Sequence, residues 1–352
     1  MASLPGRHTQ NGHKAIVDTA RLTAYQPCML NASFPRSLPA AALALTTAFA
    51  LAACTPRTAP QRSGTTTAAP SSSAHLRVYD SKAATFIAFA QLVQTISRAD
   101  VIFFGEQHDD PATHATELAL LAAIGERRPQ LVLTMEMFET DVQPQLDRYL
   151  TGAISESAFV ASARPWPQYT TDYRALVELA RIRGWLVVGA NVPRRIATAV
   201  SRKGLAVLDT MTATERVFAA AEIRCPKDGY YKNFADEMSG HSAGGGPPSA
   251  SDAEAARLIT DRFYEAQCVK DETMGASIAA ARSKAVGAII FQVDGAFHSN
   301  FGLGTVERLR RRAPSARTVV LTAIPVADPA TANPKEFAAR ADYVLFTRAP
   351  IK

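Results

Sequence analysis

Short apolar runs alternate with stretches of helical spacing along most of the chain. Val101–Phe104 (V-I-F-F) has two β-branched and two aromatic residues and reads as a buried strand, interrupted by Gly105. Gln130–Met135, Trp185–Ala190, Val286–Val293, Thr318–Ala323 and Tyr343–Phe346 repeat that reading. Between them, Thr85–Ile96, His114–Ile124, Val142–Leu150, Ser155–Ala163 and Asp172–Arg183 carry apolar residues at helical spacing, the last ended by Gly184. The alternation predicts an α/β fold of three layers with a mainly parallel central sheet. From about 196 to 282 the pattern is helical and no strand is expected. This block, between the third and fourth core strands, reads as a helical insertion that covers the strand ends. Within it Ala253–Ala281 is a long helical stretch, with a break expected near Lys270, and Ser239–Ser251 is a Gly-, Pro- and Ser-rich loop expected to be mobile.

The carboxyl ends of strands are where α/β proteins gather chemistry, because the sheet holds the varying loops rigid. Here the Val101 strand leads into Gly105-Glu106-Gln107-His108, and the run ending at Asp294 leads into Gly295-Ala296-Phe297-His298. One Gly-x-x-His carries no signal; two, each capping an apolar run, place His108 and His298 on one cleft. Glu136 follows the second strand. Imidazole and carboxylate together suit borderline divalent metals, although no H-E-x-x-H helix or closed zinc spacing is present. A Glu and His pair also activates water as a general base, with Glu106 beside His108 or His298 as the pair. The one G-x-S-x-G run, Gly240–Gly244, falls in the Gly-, Pro- and Ser-rich loop and not between a strand and a helix, which argues against a serine nucleophile. A hydrogen-bonded polar network lining a cleft remains the plain alternative.

The first residues read as an address. Arg36 precedes the Ala- and Leu-rich run Leu38–Ala53, too short for a comfortable membrane span and ending in Leu51-Ala52-Ala53-Cys54. That ending resembles a bacterial lipobox, with residues 1–53 as signal peptide, Cys54 as the lipidated first residue and Met1 or Met29 as the start. Thr55 after the lipid site points to the outer membrane of a Gram-negative envelope, facing the periplasm. Residues 54–75 lack the apolar content to order themselves and read as a tether, with the domain running from 76 to 352. Cys225 and Cys268 then remain as an even pair in an oxidising compartment and are expected to form a disulfide, unless they are two unrelated cysteines. The formal charge is +6, of which the leader carries +3, and no basic block argues for nucleic acid.

The motifs, taken in order, resemble the ChaN-like haem-binding lipoproteins, within the wider Tiki and erythromycin-esterase-like group. The residues that carry the likeness are G-E-Q-H at Gly105–His108, M-E-M-F at Met135–Phe138, L-D-R-Y-L-T-G at Leu146–Gly152, Trp166, D-Y-R at Asp172–Arg174 and A-N-V-P-R-R at Ala190–Arg195. Tyr230-Tyr231, M-S-G-H at Met238–His241, A-Q-C-V-K-D-E-T-M at Ala266–Met274 and G-A-F-H at Gly295–His298 continue it. Lys270 stands where the family usually has an aromatic residue. The resemblance implies a lipid-anchored envelope protein that binds haem between two copies of itself, in haem or iron uptake. It implies a tyrosine on the iron, with Tyr173 and Tyr169 first and Tyr230 and Tyr231 next, and His and Lys groups on the propionates. Arg194 and Arg195, at a strand end, are further propionate partners. His241 is placed for a second-copy contact, Asp271 for the cleft and Met274 for the core, while His114 reads as a surface or first-turn residue. The Tiki side of the likeness implies a divalent metal on His108, Glu136 and His298, or a Glu/His hydrolase using Glu106, His108 and His298.

Overall fold

The computed structural model describes residues 76–240 and 250–350. The signal-peptide run, Cys54, the tether, His241 and most of Ser239–Ser251 lie outside the described residues. Eight strands make one sheet: β1 (Leu76–Asp80), β2 (Thr85–Ile87), β3 (Val101–Glu106), β4 (Leu131–Glu139), β5 (Leu186–Asn191), β6 (Ile289–Gly295), β7 (Thr318–Val326) and β8 (Tyr343–Arg348). Their order is β2-β1-β8-β7-β3-β6-β4-β5. The six from β8 to β5 are parallel; β1 joins β8 and β2 antiparallel. The α/β class and the mainly parallel sheet therefore stand.

Side chains alternate across a strand, so each strand feeds both faces. From β3, Ile102 and Phe104 pack with α1 (Phe89–Ile96) and α2 (Pro111–Arg127) in the larger core. The same core takes in Leu146 of α3 (Gln143–Leu150), Phe159 of α4 (Glu156–Ala163) and Leu176 of α5 (Arg174–Arg183). Val101 and Phe103 point the other way, to Ile278 and Ala281 of α9 (Ala250–Lys284) and Val306 and Leu309 of α10 (Gly304–Arg312). The insertion holds α6 (Arg194–Lys203), α7 (Ala213–Arg216), α8 (Gly229–Gly240) and α9, between β5 and β6. Among the described residues no helix is long and apolar enough to cross a membrane.

Two local expectations are corrected. Thr85–Ile96 is not one helix: Thr85-Phe86-Ile87 forms β2, which pairs with β1 through Tyr79 and Phe86, their rings 5.2 Å apart. An aromatic, β-branched triplet gains more from that cross-strand pairing than from a helix. Nor does α9 break at Lys270. The charges there are absorbed in place: Glu272 meets Arg311 and Arg312, each at 2.5 Å, and Asp271 accepts hydrogen bonds from Tyr230 of α8 and Thr305 of α10.

Candidate functional site

Strand parity divides the chemistry into two clusters on opposite faces of the sheet's carboxyl edge. Glu106 follows Ile102 and Phe104 and faces α2. Glu136 follows Val132 in the same alternation and faces α9.

On the α2 side, Glu106 Oε1 accepts from the Tyr173 hydroxyl at 2.8 Å and lies 2.5 Å from His108 Nδ1. Its Oε2 lies 3.6 Å from His114 Nδ1, and Glu117 Oε2 lies 3.3 Å from the same nitrogen. α2 presents these residues because Asp110 caps it, accepting from the Thr113 amide at 2.9 Å, with Pro111 opening the first turn. His114 and Glu117, three apart, then share one helix face. Burial and the Glu106 charge hold the Glu117 carboxyl well above the usual carboxylate range. Burial lowers the His108 imidazole, but its hydrogen bond to Glu106 and the charges of Glu136 and Glu106 outweigh this and leave it raised.

On the α9 side, Glu136 Oε2 accepts the Gly295 amide at 2.9 Å, and its Oε1 is 3.3 Å from His298 Nε2. His298 Nδ1 lies 2.8 Å from Asp271 Oδ1, while Thr305 and Tyr230 donate to Asp271 at 2.9 and 2.7 Å. Burial lowers the His298 imidazole, yet the flanking Glu136 and Asp271 charges carry it up to about 10. Burial alone would raise Glu136; His298, Lys270 and His108 together hold it far below its ordinary value. Burial pushes Asp294 well up. Gly295 lets the clusters meet: a β-carbon there would sit 2.5 Å from His108 Nε2 and 3.6 Å from Glu136 Oε2.

Beside this edge lies a cavity of about 450 Å³ between the end of β5, α6, α8 and α9. Val192, Phe234, Met238 and Phe263 give it apolar walls; Arg194 and Lys270 bring positive charge. Neither cation forms an ion pair among the described residues, whereas Arg195 is held by Asp141 at 2.5 Å and Arg164 by Glu139 and Asp141. The Asn191 side-chain oxygen, at the cavity wall, is buried without a hydrogen-bond partner.

Several expected roles change. Tyr173 and Tyr169 are 1% and 2% exposed; Tyr173 is spent on Glu106, and Tyr169 faces Glu156 at 3.5 Å. Burial, reinforced by nearby negative charge, drives both phenols far up, which disfavours the phenolate an iron would take. Tyr230 is buried on Asp271, and Tyr231 donates to Asp261 at 2.7 Å. None of the four lines the cavity. His114 does occupy a first turn but is buried, 7% exposed, not on the surface. His108, Glu136 and His298 share Glu136 as a neighbour, yet they do not gather three ligand atoms around one point. Among the described residues the group that brings three within 4.8 Å is Glu106, His114 and Glu117. Met274 is buried in the core and Asp271 orients His298. Cys225 and Cys268 are bonded, with α-carbons 5.4 Å apart. The sequence reading missed Glu117; its signal was the His114-x-x-Glu117 face directly after the first Gly-x-x-His loop.

The fold and site define a parallel-sheet protein with paired His–carboxylate clusters and a flanking, cation-bearing apolar cavity. Residues 92–309 match the family described as haem-binding uptake, Tiki superfamily, ChaN, and the chain belongs to that family. Among solved structures it is similar to ChaN of Campylobacter jejuni with cofacial haem binding, at 16% identity and a TM-score of 0.59, covering 78% of this chain and 98% of that one. A protein from Bacillus cereus (11% identity, TM-score 0.43, 74% and 92% covered) and an erythromycin esterase in its open conformation (11%, 0.38, 74% and 80%) are more distant. No curated protein matches the chain.

Proposed function

We propose that the protein binds haem at the cavity beside β5 and hands it on in haem or iron uptake at the cell envelope. The observation that carries this reading is the pairing of apolar walls with two cations, Arg194 and Lys270, that form no ion pair among the described residues, in about 450 Å³. Haem brings two propionates, an apolar ring and an iron that takes an axial donor. Arg194 and Lys270 hold the propionates, Arg194 with its forked guanidinium and Lys270 as a point charge. Phe234, Phe263 and Val192 cover the ring, and the orphan oxygen of Asn191 orients a donor. With the four tyrosines buried on other partners, the iron would need a different donor, and His241, which follows Gly240 in the sequence, is the expected haem-contacting residue left to supply it.

A second copy is the natural cover for the open side. Leu258, Ile259 and Phe263 on α9 are 57, 54 and 46% exposed, and Phe263 itself lines the cavity. Apolar side chains clustered on an exposed face mark an interaction surface. Lipid attachment at Cys54 and an outer-membrane address fit this role, and the Cys225–Cys268 bond fits an oxidising compartment.

Haem titration followed at the Soret band, with sizing of the product, tests the reading. Arg194→Ala and Lys270→Ala are each expected to weaken binding about 3- to 10-fold, as for partly exposed charge contacts. Wild-type affinity in the double variant would remove the cavity from consideration. A second reading, hydrolysis by a Glu/His general base, is favoured by one feature: His108, paired with Glu106, keeps its side chain 42% exposed. Ester turnover that disappears in His108→Ala would support it.

A further inference from the structure

We propose that Glu106, His114 and Glu117 form a binding site for one divalent transition-metal ion of the zinc or manganese kind, on the opposite face of the sheet from His298. His114 Nε2 is 3.2 Å from the carbonyl oxygen of His108, and a carbonyl only accepts. Nε2 therefore carries hydrogen and donates. In the neutral ring Nδ1 then presents its lone pair, and it faces two carboxylate oxygens, Glu106 Oε2 at 3.6 Å and Glu117 Oε2 at 3.3 Å. With no ion bound, the proton kept on the buried Glu117 carboxyl can fill the space between that lone pair and the two carboxyl groups; a divalent cation would displace the proton and take the same position.

The spacing suits an ion. Two ligand atoms bound at about 2.0–2.1 Å in a tetrahedral site stand about 3.4 Å apart. The surroundings also suit one. The side chains of Glu106 and Glu117 are fully buried, and Glu106 Oε2 and Glu117 Oε1 have no hydrogen-bond partner. The outer contacts are in place: Tyr173 and His108 hold the other oxygen of Glu106, and the His108 carbonyl fixes the His114 ring, the arrangement that orients metal ligands elsewhere. Three protein ligands leave a position for water. One imidazole with two carboxylates suits zinc, manganese or ferrous iron above copper(I), which prefers sulfur.

The test uses the purified full chain, stripped with chelator and equilibrated with zinc or manganese alone. Wild type should retain one ion per chain and melt at a higher temperature with the ion than without. Glu117→Gln and His114→Gln should bind at least about tenfold more weakly and lose the shift in melting temperature, while His298→Gln should bind like wild type. Cobalt should give visible ligand-field bands in wild type that are missing in Glu117→Gln. If either variant fails to fold, the His114 ring nitrogens of labelled wild type decide the matter: they must shift when zinc is added. No retained ion, an unmoved His114 ring, or binding lost in His298→Gln but kept in Glu117→Gln would overturn the proposal.

Discussion

The Tyr173 hydroxyl and Glu106 Oε1 are 2.8 Å apart, both buried, so the phenol is held at the sheet edge and does not line the cavity. This relationship separates a packing role from an iron-binding one. Tyr173→Phe removes one hydrogen bond to a buried carboxylate and is expected to lower stability by about 1–3 kcal/mol. Haem affinity and the position of the Soret band should stay as in wild type. Urea denaturation and haem titration on the same preparation check both halves; a displaced Soret band with unchanged stability would put Tyr173 on the iron.

Gly295 holds a space that two functional side chains use. A β-carbon at this position would lie 2.5 Å from His108 Nε2, the far end of a half-exposed ring, so His108 should swing aside while the sheet stays intact. Gly295→Ala is then expected to move His108 from its partner Glu106 and from Glu136, the groups whose attraction outweighs burial there. Its pKa should change while the melting temperature falls only a few degrees. Imidazole proton shifts followed against pH report the first effect and thermal melting the second.

Much of this architecture is legible in the residues, and what is not has physical causes. The V-I-F-F and A-I-I-F runs are strands because they are buried on both faces, and the two Gly-x-x-His turns follow because the chain must leave the sheet there. What a linear pattern does not carry is the face. Glu106 and Glu136 look equivalent along the chain, yet strand parity sends one toward α2 and the other toward α9. The burial of His114 was hidden for a related reason. A histidine in a first turn looks exposed until a carboxylate from another strand closes over it. Tyr173 has the residue type for iron, and only its partner shows that the hydroxyl is already used. Lys270 looked like a helix break; in three dimensions it is the charge on the cavity wall.

The Cys225–Cys268 bond closes a loop across 43 positions that contains α8 and so part of the cavity wall through Phe234 and Met238. In the chain-entropy account a loop of that size contributes about 4 kcal/mol, with native-state strain and residual structure reducing it. Replacing the pair as Cys225→Ser with Cys268→Ala should therefore lower the melting temperature markedly. It should also weaken haem binding, because the segment leading into α8 is no longer tied to α9. Calorimetry and Soret titration test this, and a variant that melts and binds like wild type would show that the wall holds without the crosslink.

The Glu136–His298 pair makes stability depend on pH with a definite sign. His298 is carried up to about 10 in the fold against 6.5 in the open chain, so its contribution is whole below pH 6.5. Above that value the unfolded chain gives up its proton while the folded one keeps it, and the contribution is lost as pH rises through about 10. Glu136 acts in the opposite sense. Held far below 4.5, it contributes fully above that pH and loses its effect on acidification. The stability gap between wild type and His298→Gln should accordingly be widest between pH 4.5 and 6.5 and shrink steadily toward 10. Burial raises Glu117 in both proteins, so its own alkaline loss largely cancels in the difference. Urea denaturation of the two proteins at roughly pH 5.5, 7.5 and 9.5 measures the gap, and one that stays constant or grows with pH would mean that His298 is neutral in the fold.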